Sequence, residues 1–116
     1  MQTNNELPSI NWNDFEKVEM RVGTIISAEP FPEARNPSYL LMIDFGAFGI
    51  KKSSAQITVL YELEQLVGQQ VIAVCNFPKK QIANIQSECL VLSAVNDKRV
   101  TLLMPQQSVE NGTRIG

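Results

Sequence analysis

A chain of 116 residues, 44% apolar and 19% charged, is sized for one domain with an ordinary core. Its net charge of −2 argues against coating nucleic acid through bulk positive charge, so any phosphate contact needs a local patch. Histidine is absent, which removes the commonest general base and with it Ser-His and Cys-His nucleophile schemes.

The opening MQTNNELPSI lacks the basic and apolar regions of a signal peptide. No apolar run approaches the roughly 18 residues needed to cross a bilayer. The sequence therefore reads as cytoplasmic, without membrane insertion. Residues 1–12 are polar and read as a loose arm ahead of a single domain over residues 13–116. In NWNDFEKV, Asn11 or Asn13 caps a short helix, with Asp14 and Glu16 in its favoured first turn. So short a helix is unstable alone, so Trp12 and Phe15 must dock on something.

MRVGTIISAE is a strand in which Gly23 permits the sharp bend of a closed barrel. FPEARNPS is a proline loop, and YLLMIDF alternates Tyr39, Leu41, Ile43 and Phe45 onto one face. GAFG is a hairpin turn; its spacing does not suit a phosphate loop. In IKKSSAQIT, Lys51, Ser53, Ala55 and Ile57 fall on one side, and Lys52, Ser54, Gln56 and Thr58 on the other. VLYELEQLVG is one short helix through Leu60, Leu63 and Val67, closed by Gly68. QVIAVCNF is a strand cut by Pro78, ECLVLSAV and RVTLLM flank a tight NDK hairpin, and Asn111-Gly112 turns the tail. Three strands, a helix and further strands predict an all-β protein with short helices. The specific expectation is a five-stranded OB-fold barrel with an N-terminal helix and a C-terminal extension.

Lys51, Lys52, Ser53 and Ser54 form one half of a candidate electropositive face, and Lys79 and Lys80 the other, with Arg21 or Arg35 nearby. The plainer alternative is that alternate lysines solvate a strand edge. Neighbours in a strand point oppositely, so Lys51 and Lys52 share one ligand only if the strand is bulged or ends there. Phe31, Phe48 and Phe77 stay open as base-stacking groups, whereas Tyr39 is in phase with the core. Asp44 is a lone carboxylate, read as a hydrogen-bonded barrel-end residue, and neither Ser53 nor Ser54 has a base to activate it. No catalytic residue, metal set or cofactor is expected. Cys75 and Cys89 read as small hydrophobes; a disulfide or metal pair is the sharper alternative. Leu7, Ile10, Trp12, Phe15, Val109 and Ile115 exceed what a small barrel needs. They serve either as caps within the chain or as a symmetric interface, for which Trp12, Phe15, Val109 and Ile115 are the candidates.

DFEKVEMRVGTI, FPEARNPSYLLMIDFG, IKKSSAQIT, LVGQQVIAVCNFPKKQIANIQSECLVLSA and NGTRIG, from about Asp14 to Gly116, closely resemble the CsaA family of secretion chaperones. That family belongs to the tRNA-binding domains also appended to some methionyl- and tyrosyl-tRNA synthetases. MRVG, SSAQI and NFPKKQIAN…SECLVL in this order make the resemblance specific. It implies an OB-fold homodimer without catalysis that binds unfolded or export-bound preproteins, with the export machinery as a further partner. The alternative it implies is a structure-specific tRNA-binding protein. The binding surface so implied comprises Lys51, Lys52, Ser54, Gln56, Asn76, Phe77, Lys79, Lys80 and Ser87. Dedicated tRNA-binding members carry Ser-x-Gly-Met where this chain has Ser87-Glu88-Cys89-Leu90, a departure that weighs against strong tRNA binding.

Overall fold

The structure is a computed structural model that describes residues 6–116; residues 1–5 of the predicted arm lie outside the described residues. Helix α1 (Trp12–Glu16) is capped by Asn11. The Asn11 Oδ1 accepts the Asp14 N–H at 2.9 Å, while the Asp14 carboxylate accepts the Asn11 N–H at 3.2 Å. This reciprocal pair satisfies two donors that a helix start otherwise leaves open. At the other end, Arg114 Nη2 donates to the Glu16 carbonyl at 2.7 Å.

Strands β1 (Met20–Pro30), β2 (Tyr39–Asp44) and β3 (Ile50–Ala55) precede helix α2 (Leu63–Leu66). Then follow β4 (Gln70–Val74), β5 (Lys80–Ile82), β6 (Ile85–Ser87) and β7 (Leu90–Val91). A last hairpin joins β8 (Ser93–Asn96) to β9 (Arg99–Leu102) through the NDK turn, with Asp97 at φ 58°. The main sheet runs β3-β2-β1-β4-β7 with antiparallel neighbours throughout. It curls into a nearly closed, OB-like barrel with the helix between the third and fourth strands, as the order of elements predicts.

The long β1 is shared. Residues 20–24 pair with β4 and residues 24–30 with β2, and the register shifts between Ile25 and Ser27. The strand therefore bends at Ile26, not at Gly23, which pairs regularly with Val71. Gly23 serves a different need. A Cβ there would stand 2.6 Å from Ile43 Cγ2 and 2.7 Å from the Phe45 ring. Both side chains are fully buried, with Ile25, Leu41, Leu66 and Val71 around them.

Leu41, Ile43 and Phe45 point inward as their alternation predicts. Tyr39 is half-buried against the core and donates to the Tyr61 carbonyl at 2.7 Å. One expectation fails and one open alternative closes. In α2 the buried residue is Leu66, while Leu60 and Val67 are exposed, because a single turn presents one side chain to the barrel end. Phe31 is buried and unavailable for stacking. The β5–β6 hairpin forms a separate two-stranded sheet that the sequence reading omits.

The C-terminal segment takes the edge of β1 that β2 leaves free. Gly112 N–H donates to Val22 O at 2.7 Å, Val22 N–H to Thr113 O at 3.0 Å, and Ile115 N–H to Met20 O at 2.9 Å. The turn into it uses Gly112 at φ +93°, the left-handed region that glycine enters freely. No helix among the described residues is long and apolar enough to cross a membrane.

Candidate ligand-binding groove

The seam between β3 and β7 is closed mainly by the Ser87-Glu88-Cys89 segment. Glu88 N–H donates to the Lys52 carbonyl at 2.8 Å, and Glu88 Oε1 accepts the Lys52 N–H at 2.8 Å. One residue thus supplies both halves of a ladder step, its carboxylate replacing a backbone carbonyl. On either side, Ser54 N–H donates to Ser87 Oγ at 3.4 Å and Ser53 Oγ to the Cys89 carbonyl at 3.2 Å. The Lys52 N–H holds the Glu88 carboxyl below the usual carboxylate range, more than partial burial raises it, and Lys79 adds to the lowering.

Beside this seam lies a groove of about 610 Å³, lined by Phe77, Pro78, Lys79, Lys80, Gln81, Ser87, Cys89 and Leu90. β4 ends at Val74, and Pro78, which cannot donate to a ladder, lies in the turn that follows. The chain then returns as β5 and β6, with Lys80 opposite Ser87. Phe77 and Leu90 remain 55% and 50% exposed. They make an apolar wall, with two ammonium groups on the rim. Lys79 Nζ lies 3.5 Å from Glu88 Oε2.

Of the nine predicted binding residues, Phe77, Lys79, Lys80 and Ser87 line this groove. Lys52 and Ser54 belong to the seam through their backbone N–H groups. The unbulged β2–β3 register puts Lys52 beside Met42 and Lys51 beside the inward Ile43. The two lysines therefore face opposite ways, as the strand pleat requires. Gln56 lines a separate groove with Asn36, Thr58 and Lys98. The Asn76 side chain is occupied as a clamp. Its Nδ2 donates to Lys17 O at 2.7 Å, and its Oδ1 accepts the Glu19 N–H at 3.0 Å, fixing the linker between α1 and β1. Asn76→Ala is accordingly expected to lower stability by about 1 kcal/mol and to leave ligand affinity unchanged, as urea melts beside binding isotherms would reveal.

Arg21 does not join the positive face. Its Nε donates to Glu19 Oε2 at 2.7 Å and its Nη1 to Gly112 O at 2.8 Å, and its guanidinium lies 3.7 Å from the Phe48 ring centroid. Phe48 is thereby engaged by a cation. Asp44 behaves as expected at the barrel end, its Oδ1 accepting the Gly46 N–H at 2.8 Å.

Among the predicted interface residues, Trp12 is 64% exposed and Phe15 half-buried, their rings 5.4 Å apart. Val109 is exposed beside Gln70, whose side chain bonds its backbone, and Ile115 is half-buried on β1. Glu88, Cys89, Leu90 and Gln81 were missed as site residues. Their signal in the sequence is the Ser87-Glu88-Cys89-Leu90 departure for the first three, with Cys89 also one of the two cysteines.

Comparison with known proteins agrees with this architecture. The model of a family described as a putative tRNA binding domain matches residues 20–114. The chain is 48% identical to chaperone CsaA from Bacillus anthracis, covering 94% of this chain and all of that one at a TM-score of 0.90. The CsaA chaperone protein of Picrophilus torridus gives 48% identity, 93% and 100% coverage and a TM-score of 0.88. The methionine–tRNA ligase of Thermococcus kodakarensis is 31% identical over 106 residues, which is 91% of this chain and 14% of the ligase. The chain thus spans a small fraction of the curated relatives it matches, and the likeness falls on a part of each ligase rather than on the whole enzyme. A barrel of this order, matched by that family model over nearly all its length, places the chain in the family of putative tRNA binding domains.

Proposed function

We propose that this protein is a non-catalytic, chaperone-like binding protein whose groove holds extended segments of unfolded or export-bound preproteins. The observation that carries the reading is the groove itself: Phe77, Pro78 and Leu90 as an apolar wall, Lys79 and Lys80 at its rim, and Gln81 and Ser87 as polar contacts. Such a surface gives apolar side chains a dry partner, while the rim steers acidic stretches of a client. The likeness to two CsaA chaperones over their full lengths supports it. Binding of tRNA is the second reading, favoured by the family match and by the paired rim lysines.

Salt separates the two. With labelled tRNA, log affinity should fall by roughly 0.7–0.9 per phosphate contact for each tenfold rise in salt. Affinity for an unfolded preprotein should change little. In the doubly substituted Lys79→Gln/Lys80→Gln variant, the tRNA slope should flatten by about 1.5 and preprotein binding should fall only modestly. A preprotein isotherm as salt-sensitive as that of tRNA would remove the apolar wall as the carrier of binding.

The active unit in this reading is a homodimer. Ile10 and Trp12 are 69% and 64% exposed, and with Asn11, Phe15 and Gly116 they line a second apolar depression of about 400 Å³. Light scattering should give twice the chain mass. Trp12→Ala should weaken the assembly by about 30-fold or more, the effect of removing a buried aromatic anchor.

A further inference from the structure

The two cysteines are separated by fourteen positions in sequence but meet in the sheet. In the β4–β7 ladder Ala73 pairs with Val91 and Val74 with Leu90. Extended one step past the end of β7, this register sets Cys75 opposite Cys89, whose thiol rests 3.9 Å from the Lys52 carbonyl. The Leu92 N–H donates to the Ile72 carbonyl at 2.8 Å, while the Ile72 N–H turns to the Leu103 carbonyl at 3.3 Å, so residue 72 directs its backbone groups away from β1 and toward this side. Alternation makes 73/91 non-bonded, 74/90 bonded and 75/89 non-bonded. The outward bonds agree: Cys75 N–H donates to Glu19 O at 2.8 Å, and the Cys89 carbonyl accepts from Ser53 Oγ, each on the side away from the other cysteine.

Side chains of a non-bonded pair stand on one face at their closest approach, with Cα atoms about 4.5 Å apart. A disulfide spans Cα separations of about 4.4–6.8 Å. Both thiols are free; Cys75 is half-buried, while Cys89 is buried and lines the groove. We infer that Cys75 and Cys89 form a thiol pair that a low-molecular-weight disulfide closes into an internal disulfide, a reversible modification site beside the ligand groove.

The more accessible Cys75 reacts first. Its thiolate attacks one sulfur of the small disulfide, forming a mixed disulfide and releasing one small thiol. Cys89 then loses its proton to solvent and attacks the Cys75 sulfur, which expels the second small thiol. Two protein thiols are oxidised and one small disulfide is reduced to two thiols. The reaction is slow at neutral pH, because the thiolate is the nucleophile. Burial pushes the Cys89 thiol up to about 12 and also raises Cys75, where Glu19 adds to the effect and Lys51 and Arg21 oppose it. The link would staple β4 to the segment that closes the barrel, so the seam would no longer rest on Glu88 and its serine neighbours alone.

The test incubates the native protein with oxidised glutathione at a pH near 8.5, where the thiolate fraction is larger. Trypsin cuts after Lys79 and Lys80, between the two cysteines, and so separates them unless they are joined. The expected product is a monomer-mass chain, lighter by two hydrogen atoms, with the Cys75 and Cys89 peptides linked and separated again by dithiothreitol. Cys75→Ser and Cys89→Ser should give no internal link. A stable glutathione adduct at Cys75, linkage between chains, or reaction only in urea would overturn the inference. A second measurement tests the staple: oxidation should raise the thermal midpoint of the wild type and of Glu88→Ala alike, because closing a loop of this length restrains the unfolded chain. A midpoint unchanged or lowered by oxidation would overturn that role.

Discussion

Gly23→Val is expected to abolish the native barrel at ordinary temperature. The first added carbon alone would stand 2.6 Å from Ile43 Cγ2 and 2.7 Å from Phe45 Cδ1 and Cε1. Both neighbours are fully buried and belong to the cluster that includes Leu41, Leu66 and Val71, so neither can swing into solvent. Overpacking by a methylene or so costs about 1–3 kcal/mol in a well-filled core. Valine adds three carbons at a point where one is already too many, against a total stability of about 5–15 kcal/mol. Gly23→Ala should survive with a loss of about 2–3 kcal/mol, visible as a lower urea midpoint. An alanine variant with an unchanged midpoint would show that β1 and β2 can part at this point, and the close approach would cease to explain the glycine.

Glu88→Ala is expected to cost about 1–3 kcal/mol, because it strands the Lys52 N–H at a half-buried seam with no acceptor. Glu88→Gln keeps an acceptor and loses only the charge beside the exposed Lys79, so it should cost under about 1 kcal/mol. The pH dependence has a defined sign. The folded protein holds the Glu88 carboxyl below its ordinary value, so its contribution is complete above the ordinary carboxylate range and is lost as pH falls through the folded value. Wild type and Glu88→Gln should therefore differ most near neutrality and converge in acid. Parallel urea melts from neutral pH downward test this, and divergence toward acid would contradict the assignment.

What the sequence reveals and what it conceals divide along physical lines. Period-two alternation from Tyr39 to Phe45 is legible because one face of β2 meets the core directly. The opposed directions of Lys51 and Lys52 follow from the pleat in the same way. Helix α2 is harder, since four residues carry too little periodicity to choose between Leu63, Leu66 and Val67, and the barrel end selects Leu66. The β5–β6 hairpin escapes notice because its strands are three residues each and turn through Ala83 at φ 49°, without the usual glycine. Glu88 escapes because a carboxylate in a strand resembles any solvated residue; its role depends on Lys52, thirty-six positions earlier. Arg21 and Asn76 read as ligand-facing only while their partners, Gly112 and Lys17, have no place in space.

The pairing of Met20–Val22 with residues 112–115 also bears on how the chain is made. Synthesis delivers β1 early, and β4 can zip along one edge of residues 20–24 once it emerges. The opposite edge of residues 20–22 waits until some ninety more residues have left the ribosome. During that interval the start of β1 offers open N–H and C=O groups beside the apolar Val22, a template for another strand. Contacts this distant in sequence also slow folding, because the intervening loop must close first. Completion of the start of β1 therefore depends on residues 112–115, and Arg21, bonded to the Gly112 carbonyl and set over the Phe48 ring, ties the two segments together.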